Sequence, residues 1–388
     1  KPLVKKDFSQ ISSLFKPFTN NHSRYVNEKE CLDYANSTNA TRYIKQSYDY
    51  RIKGCSIGPK IGNVHFNTHE TGLLPDQFKT EIKKSPTDIG KNAWVGRYIA
   101  MSEKYAVVGY SGFDEQRGKA YIFEVSTGEL KHTIEADDRT KYDNFGWRVA
   151  IGGPQGTHVI LSAVFAKNNA GVSAAGALYV FGADSGKQMS KITVEDSDVA
   201  KYDALGESLD IDDGYKFIAG ATGYGSGGAA YIFSVQQVRQ PKQLHKLTVS
   251  GTKNFGCSVG ISGNFAVVGD KEHSDIKGAA YIFNVKTGAM LHKITADDGK
   301  KKDYFGSAIG IDGNYIVVGA KGVDNNKGAA YVYDTSGKQL KLTVKDGKEK
   351  DKFGDQHTVS ISGKYAIIGT RYYDNDNGAA YIFNVKTG

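Results

Sequence analysis

Residues 303–333 read DYFGSAIGIDGNYIVVGAKGVDNNKGAAYVY, and residues 253–283 read KNFGCSVGISGNFAVVGDKEHSDIKGAAYIF. An aromatic-Gly pair, a Val-Val-Gly run and a Gly-Ala-Ala-Tyr run stand at matching places in both. Working outward, the first landmark recurs as Val95-Gly96, Phe145-Gly146, Leu205-Gly206, Phe255-Gly256, Phe305-Gly306 and Phe353-Gly354, with glycine spacings of 50, 60, 50, 50 and 48 residues. The second recurs in phase at Gly118, Gly176, Gly228, Gly278, Gly328 and Gly378. Six copies are visible, and a repeat of this length signals a stacked or ring architecture.

Within a copy the hydrophobic period is two, the period of a strand. Ile309 and Ile311 alternate with Ala308 and Gly310, Asp312-Gly313-Asn314 makes a turn, and Tyr315 to Gly319 form a second strand. Asp-Gly between two such runs is a strong hairpin signal. A third strand is expected over Gly328 to Tyr333 and a fourth over Gln339 to Val344. Four short antiparallel strands cannot bury a core alone, so neighbouring copies must supply it. The fold class is all-β: a propeller of about six four-stranded blades, or seven if the chain continues past Gly388. The last copy stops before its fourth strand, and Phe78 to Lys83 (FKTEIK) occupies the place of a fourth strand before the first copy. That segment is expected to close the ring. The propeller domain therefore spans 78–388, preceded by a small irregular α+β module over 1–77.

The chain has 388 residues, 39% hydrophobic and 24% charged, with 46 glycines and 7 prolines. No apolar run approaches the roughly 18 residues of a membrane helix, so no membrane span is expected. The formal charge of +8 favours acidic partners. There is no run of five basic residues and no nucleic-acid-binding signature, so nucleic acid is not an expected partner. Residues 1–77 hold Cys31 and Cys55, close enough to bridge, and glycosylation sequons at Asn21, Asn36 and Asn39. Asn27 and Glu30 have capping-box spacing before a short helix. Paired cysteines beside sequons indicate a secreted glycoprotein with a disulfide. Cys257 shares parity with Val259 and Ile261, so a buried, inert thiol is expected there.

The constellation of Phe-Gly, Val-Val-Gly-Ala and Gly-Ala-Ala-Tyr resembles the FG-GAP repeats of integrin α subunits and of many secreted bacterial and algal proteins. The N-terminal run around Cys31, Cys55 and Val64 to His69 resembles short cysteine-paired modules in surface proteins of algae and other protists. The first resemblance implies a propeller whose loops on one face bind another macromolecule. It also implies a calcium loop between the first two strands, and here the sequence departs from it. That connection is two or three residues long and cannot encircle the ion, which wants six or more oxygens. Asp324, Asp374 and Asp376 are the remaining, weak metal candidates, read instead as Asx turns. No cofactor and no metal are expected, calcium included.

Asp143, Asp203, Asp303 and Asp351 stand two residues before the aromatic-Gly pair and are expected to brace turns rather than to catalyse. No nucleophile motif, metal-ligand spacing or unsymmetrical catalytic cluster is visible, so no catalytic residue is expected. The loops between second and third strands differ most between copies, and loops at one end of a scaffold are where binding residues gather. They offer Phe113, Asp114, Phe165, Lys167, Tyr224, His273, Arg371, Tyr372 and Tyr373 as binding residues, the last three as the main anchor. The function implied is a non-catalytic binding, adhesion or structural module, extracellular or at a cell surface. Its partner is a protein or an acidic glycan, with self-assembly into a larger extracellular structure as a further expectation. The competing class is a secreted lyase or glycosidase; the glycosidase would need two carboxylates about 5 to 9 Å apart in the central depression. Only Trp94 and Trp147 are available for sugar stacking.

Overall fold

The computed structural model describes residues 95–194, 200–334, 339–373 and 377–388. Within them the chain forms the six antiparallel sheets of a six-bladed propeller. The first blade is β1 (Val95–Met101), β2 (Tyr105–Tyr110), β3 (Lys119–Glu124) and β4 (Leu130–Ile134). The second is β5 (Phe145–Gly152), β6 (His158–Ala163), β7 (Ala177–Gly182) and β8 (Gln188–Ile192). The third is β9 (Ser208–Ile211), β10 (Lys216–Ala221), β11 (Ala229–Ser234) and β12 (Lys242–Leu247). The fourth is β13 (Phe255–Ser262), β14 (Phe265–Asp270), β15 (Ala279–Asn284) and β16 (Met290–Ile294). The fifth is β17 (Phe305–Asp312), β18 (Tyr315–Ala320), β19 (Ala329–Asp334) and β20 (Gln339–Leu342). The sixth has three described strands, β21 (Val359–Ser362), β22 (Tyr365–Thr370) and β23 (Ala379–Asn384). Each strand pairs with its sequence neighbour. Phe78 to Lys83, the Asn27 helix, the Cys31 and Cys55 pair and the three sequons lie outside the described residues.

The first hairpins are as tight as the sequence predicts. Asp312 pairs with Tyr315 across a two-residue turn in which Gly313 takes φ +54° while Asn314 stays on the negative side. That is the type II′ pattern, whose twist matches the flanking strands. Blades two and three differ: in blade two five residues, including the 3-10 turn Pro154–Gly156, lie between Gly152 and His158, and in blade three Asp212 Oδ1 accepts from the N–H groups of Gly214 (2.9 Å) and Lys216 (3.0 Å).

The three sequence landmarks turn out to be one contact. Phe145 N–H donates to the Arg117 carbonyl across the gap between the first two blades, at 3.2 Å. A Cβ on Gly118, at φ +81°, would lie 2.0 Å from the Phe145 carbonyl oxygen, and one on Gly109 would lie 2.3 Å from that of Gly146. The backbones touch, and only glycine leaves room. The small residues are thus explained by crowding at the seam between neighbouring blades, and the seam recurs at Gly278 against Phe305 and at Gly328 against Phe353.

Aromatic rings complete each seam. Phe145 packs edge-on against Tyr179 at 5.3 Å, Phe255 against Tyr281 at 5.6 Å, and Phe305 against Tyr331 at 5.5 Å. Each such buried ring contributes roughly 2 kcal/mol from area alone. Tyr179 OH donates to Asp138 at 2.9 Å, and Lys191 reaches the same carboxylate at 2.6 Å. Asp138 follows β4 of the first blade, so the bond ties that blade to the second. Tyr331 with Asp298 repeats the arrangement. The recurrent tyrosines are packing and stitching elements.

The recurrent aspartates brace turns, as expected. Asp143, Asp203, Asp303 and Asp351 accept the N–H groups of Thr140, Ala200, Lys300 and Lys348 at 2.6 to 2.8 Å.

Candidate functional site at the loop end of the ring

At one end of the ring the corners entering blades two, three, five and six are each hydrogen-bonded to two loops. Asn144 N–H donates to Gln116 of the preceding blade's loop (2.7 Å), and Phe165 of its own blade's loop donates to the Asp143 carbonyl (3.3 Å). The same stitch recurs at Tyr304 to Ile276 with Gly322 to Asp303, and at Lys352 to Asn326 with Tyr372 to Asp351. Loops and corners of these blades therefore form a backbone-bonded rim. Tyr142 and Tyr202 stand out from its corners, 61% and 59% exposed. Lys201 lies over the Tyr202 ring at 4.7 Å and Lys352 over Tyr372 at 4.5 Å. These corner residues escaped the sequence reading, although Lys-Tyr-Asp at 141–143 and again at 201–203 was a visible signal.

The loops themselves are less divergent than their sequences suggest. The loops of blades one, four and five share a single helical turn, Phe113–Gln116, His273–Ile276 and Val323–Asn326. In each, three successive residues take positive φ. Asp324 belongs to such a turn, a conformation that Asp and Asn favour. Among the described residues no group of three or more acidic, His or Cys side chains could hold a metal ion; Asp374 and Asp376 lie outside them.

The expected binding residues divide. Phe165 and Lys167 are exposed, and Asp114 is exposed and paired with Arg117 at 3.1 Å. Phe113 is half-buried beneath the Lys119 ammonium, 3.4 Å from its ring centre. Arg371 and Tyr372 are half-buried, the guanidinium 4.9 Å above the ring. Tyr224 and Tyr373, only 8% and 7% exposed, depart from the expectation. Both occupy the third position of their loops and pack edge-on against Tyr231 and Tyr381, and Tyr373 OH donates to Asp346 at 2.7 Å. His273 fills that position in its loop, between Tyr281 and Asp270. These three are packing residues because the third loop position caps the aromatic stack of its own blade.

A second departure lies on the ring axis, just below the rim. The two residues after each aromatic-Gly pair differ in every blade: Arg97-Tyr98, Trp147-Arg148, Glu207-Ser208, Cys257-Ser258, Ser307-Ala308 and Asp355-Gln356. They stand on or beside the innermost strands, and some of them meet across the ring. Arg148 of blade two donates through Nε to the Glu207 carbonyl (2.5 Å) and through Nη2 to Glu207 Oε1 (3.3 Å) and to His357 Nε2 of blade six (2.5 Å). Its guanidinium lies 3.7 Å over the Tyr98 ring of blade one. Gln356 donates to the Cys257 carbonyl of blade four at 3.3 Å and accepts from Lys271 at 3.5 Å. Lys321 pairs with Asp355 at 2.8 Å. The unsymmetrical cluster that the repeats seemed to lack is here.

Blade six supplies the reason. Four residues lie between Gly354 and Val359, where two lie between Gly256 and Val259, although Val359 and Val259 hold equivalent pairings. The two extra residues leave the inner strand, and His357 takes φ +63°. Bulges of this kind re-aim side chains, and a non-glycine residue held there costs of order 1 kcal/mol or more. The insertion was readable in the sequence and is the signal that could have found the site.

Arg148 can only donate, so His357 Nε2 is an acceptor and the ring is neutral with its proton on Nδ1. Desolvation, and then the charges of Arg148, Lys271, Arg97 and Lys321, hold its pKa well below the ordinary value. His357 nevertheless retains accessible surface, as do Tyr98, Trp147 and Gln356. The axis is therefore lined rather than packed solid. Farther along it Asp210 accepts the Ile261 N–H at 2.8 Å, and desolvation pushes its carboxyl up to about 7. Cys257 is buried as expected, and burial pushes its thiol up.

The FG-GAP repeat family matches the sequence over residues 130–181, 243–283, 291–333 and 337–383. The chain contains FG-GAP repeats. Each matched segment begins in or just before the outer strand of one blade and ends in the third strand of the next, so every FG-GAP repeat straddles a seam. A chain of the hydrazine synthase of Kuenenia stuttgartiensis is similar in fold, with TM-score 0.51 and 14% identity over 74% of this chain and 76% of that one. That identity supports a likeness of fold alone. No curated protein sequence matches the chain. No helix among the described residues is long and apolar enough to cross a membrane.

Proposed function

We propose that this FG-GAP propeller is a non-catalytic binding or structural module of a cell surface, matrix or other extracellular assembly, and that its loop end contacts an acidic protein or glycan. The observation that carries the reading is the backbone-bonded rim. A surface ordered before contact loses little conformational entropy on binding. The lysines and tyrosines projecting from it suit an anionic partner, and so does the charge of +8. The extracellular assignment rests on the cysteine pair and sequons of residues 1–77. Self-assembly of the chain would use the same rim.

The test is retention of the full chain on immobilised acidic glycans and on acidic proteins of the native source, across a salt gradient. Exposed charge contacts are screened beyond about 8 Å at physiological ionic strength. Retention should fall with salt and fall at least tenfold in Tyr142→Ala with Tyr202→Ala. Retention unchanged by both would move the function off the rim.

A second reading, a carbohydrate lyase, is favoured by one observation. A neutral imidazole, His357, sits against a cation, Arg148, on the ring axis. β-Elimination from a uronate needs a cation to neutralise the carboxylate and a base to take the proton α to it as the C–O bond at the β carbon breaks and the leaving sugar departs. His357 would serve as that base once the substrate carboxylate draws Arg148 off its Nε2. Ultraviolet absorbance of an unsaturated product, appearing with polyuronate and lost in His357→Ala, would establish it.

A further inference from the structure

We infer that the cationic cluster at the ring axis is an anion site that receives one carboxylate or sulfate group of an acidic saccharide. The inference deepens the proposed reading of an acidic partner and rests on it. Arg148, Lys271 and Lys321 reach the axis from three different blades, and Arg97 approaches over Trp147 at 4.8 Å. Like charges gathered in a desolvated space repel one another, and an anion among them relieves that repulsion. Glu207 engages Arg148 and Asp355 engages Lys321. Lys271 reaches only the neutral amide of Gln356 among the bonds described, at 3.5 Å, a length that leaves its ammonium able to turn to a ligand.

Two features favour a saccharide over a bare anion or an acidic peptide. Glu207 and Asp355 stand among the cations, so hydroxyl donors flanking the anionic group would find acceptors beside it. The Trp147 indole, half-buried with the Arg97 guanidinium over its ring, places an aromatic ring of the kind that packs against sugars beside the cations. The two-residue insertion that carries Gln356 and His357 into the ring belongs to blade six alone among the blades whose first strand is described. A packing role common to the blades would not require it.

The experiment uses the full chain and four probes: trigalacturonate, a sulfated galactan trisaccharide, uncharged galactotriose, and a triglutamate peptide. Binding is followed by quenching of tryptophan fluorescence, with Trp147→Phe removing the signal, and by the rise in Tm that a ligand of the native state produces. The inference expects saturable binding of one or both acidic sugars and none of galactotriose. Lys271→Gln and Lys321→Gln should each weaken binding at least tenfold, while Gln243→Ala, exposed on the outer strand of blade three, leaves it unchanged. Binding of the uronate alone assigns the carboxylate, and binding of the sulfated sugar alone assigns the sulfate; either supports the site. Binding lost in Tyr142→Ala with Tyr202→Ala but kept in the lysine variants overturns the inference and leaves the rim reading intact. Equal binding of triglutamate overturns the saccharide assignment. No binding of either acidic sugar overturns the axial site, while the glycan and protein retention assay decides the rim reading separately.

Discussion

One strand of each blade carries two neighbouring pairs of residues with opposite histories. In β13 the pair Phe255-Gly256 is matched by Phe305-Gly306 and Phe145-Gly146, whereas the next pair, Cys257-Ser258, has Ser307-Ala308 and Trp147-Arg148 in its place. The first pair meets the neighbouring blade at backbone contact, where any Cβ would collide. The second holds a buried serine in blades three, four and five, where Ser208, Ser258 and Ser307 donate to the carbonyls of Gly256, Gly306 and Gly354 of the next blade, whereas in blades one, two and six it carries side chains that meet across the ring. The seam is uniform because it is full, and the axis is varied because it is not. Individual function in such a ring is to be sought where the seam's constraint ends.

That contrast can be broken most severely at a seam. Gly278→Ala would place a methyl 1.9 Å from the Phe305 carbonyl oxygen at φ +88°. The expected cost is about 4 kcal/mol or failure to fold, against about 0.5 kcal/mol for an exposed surface substitution. Chemical denaturation measures both, and a cost near 1 kcal/mol would show that the seam has slack.

The axis should be the next most sensitive region, through one residue rather than a repeated set. Arg148→Met leaves Glu207 without its partner and His357 without its donor, at an expected cost of about 3 kcal/mol. Gln356→Leu should cost about 1 kcal/mol, since its bonds to Cys257 and Lys271 are neutral or long. If the two variants melt alike, Arg148 is not the element joining blades one, two, three and six.

Smaller effects separate the two depths of the axis by pH. Asp210 has a folded pKa of about 7, above the ordinary 3.8. The native state therefore binds its proton more tightly, and its contribution to stability falls as pH rises from about 4 to about 7. Asp210→Asn should stabilise by about 2 kcal/mol at pH 8 and by nearly nothing at pH 4. His357 behaves oppositely. Its folded pKa lies below 6.5, so its contribution is present above pH 6.5 and is lost as pH falls below that value. Arg148, Lys271, Arg97 and Lys321 face it as cations, with Glu207 and Asp355 as the paired carboxylates. His357→Gln should flatten the acid side of the stability profile, and an unaltered profile would place the titration elsewhere.

The smallest expected effect is that of a chelator. First hairpins with two-residue turns offer too few oxygens for calcium. The melting temperature should move by about 1 °C or less, whereas a structural ion present in excess over its Kd would contribute several kcal/mol. A large drop would point to the loops of the Asp324 type.

The repeat was legible because seams impose the same demand six times. Phe305, Gly306, Gly319, Gly328 and Tyr331 are spaced along the chain by strand and turn lengths, so a contact in space becomes a period in sequence. The type II′ turn at Gly313 and the brace at Asp303 were readable for the same reason: each satisfies a local backbone demand with a residue a few positions away. The packing role of Tyr373 was hidden, because an aromatic beside arginine in a loop looks alike whether it faces solvent or a neighbouring ring. The sequence by itself therefore determined the strand period, the six copies of the repeat and the positions where only glycine serves. Only the tertiary structure decided that Tyr98, Arg148, Glu207 and His357 meet. They lie up to 259 positions apart and no period links them. Ring closure sets their distances, and two extra residues in one blade carry His357 across the axis to Arg148.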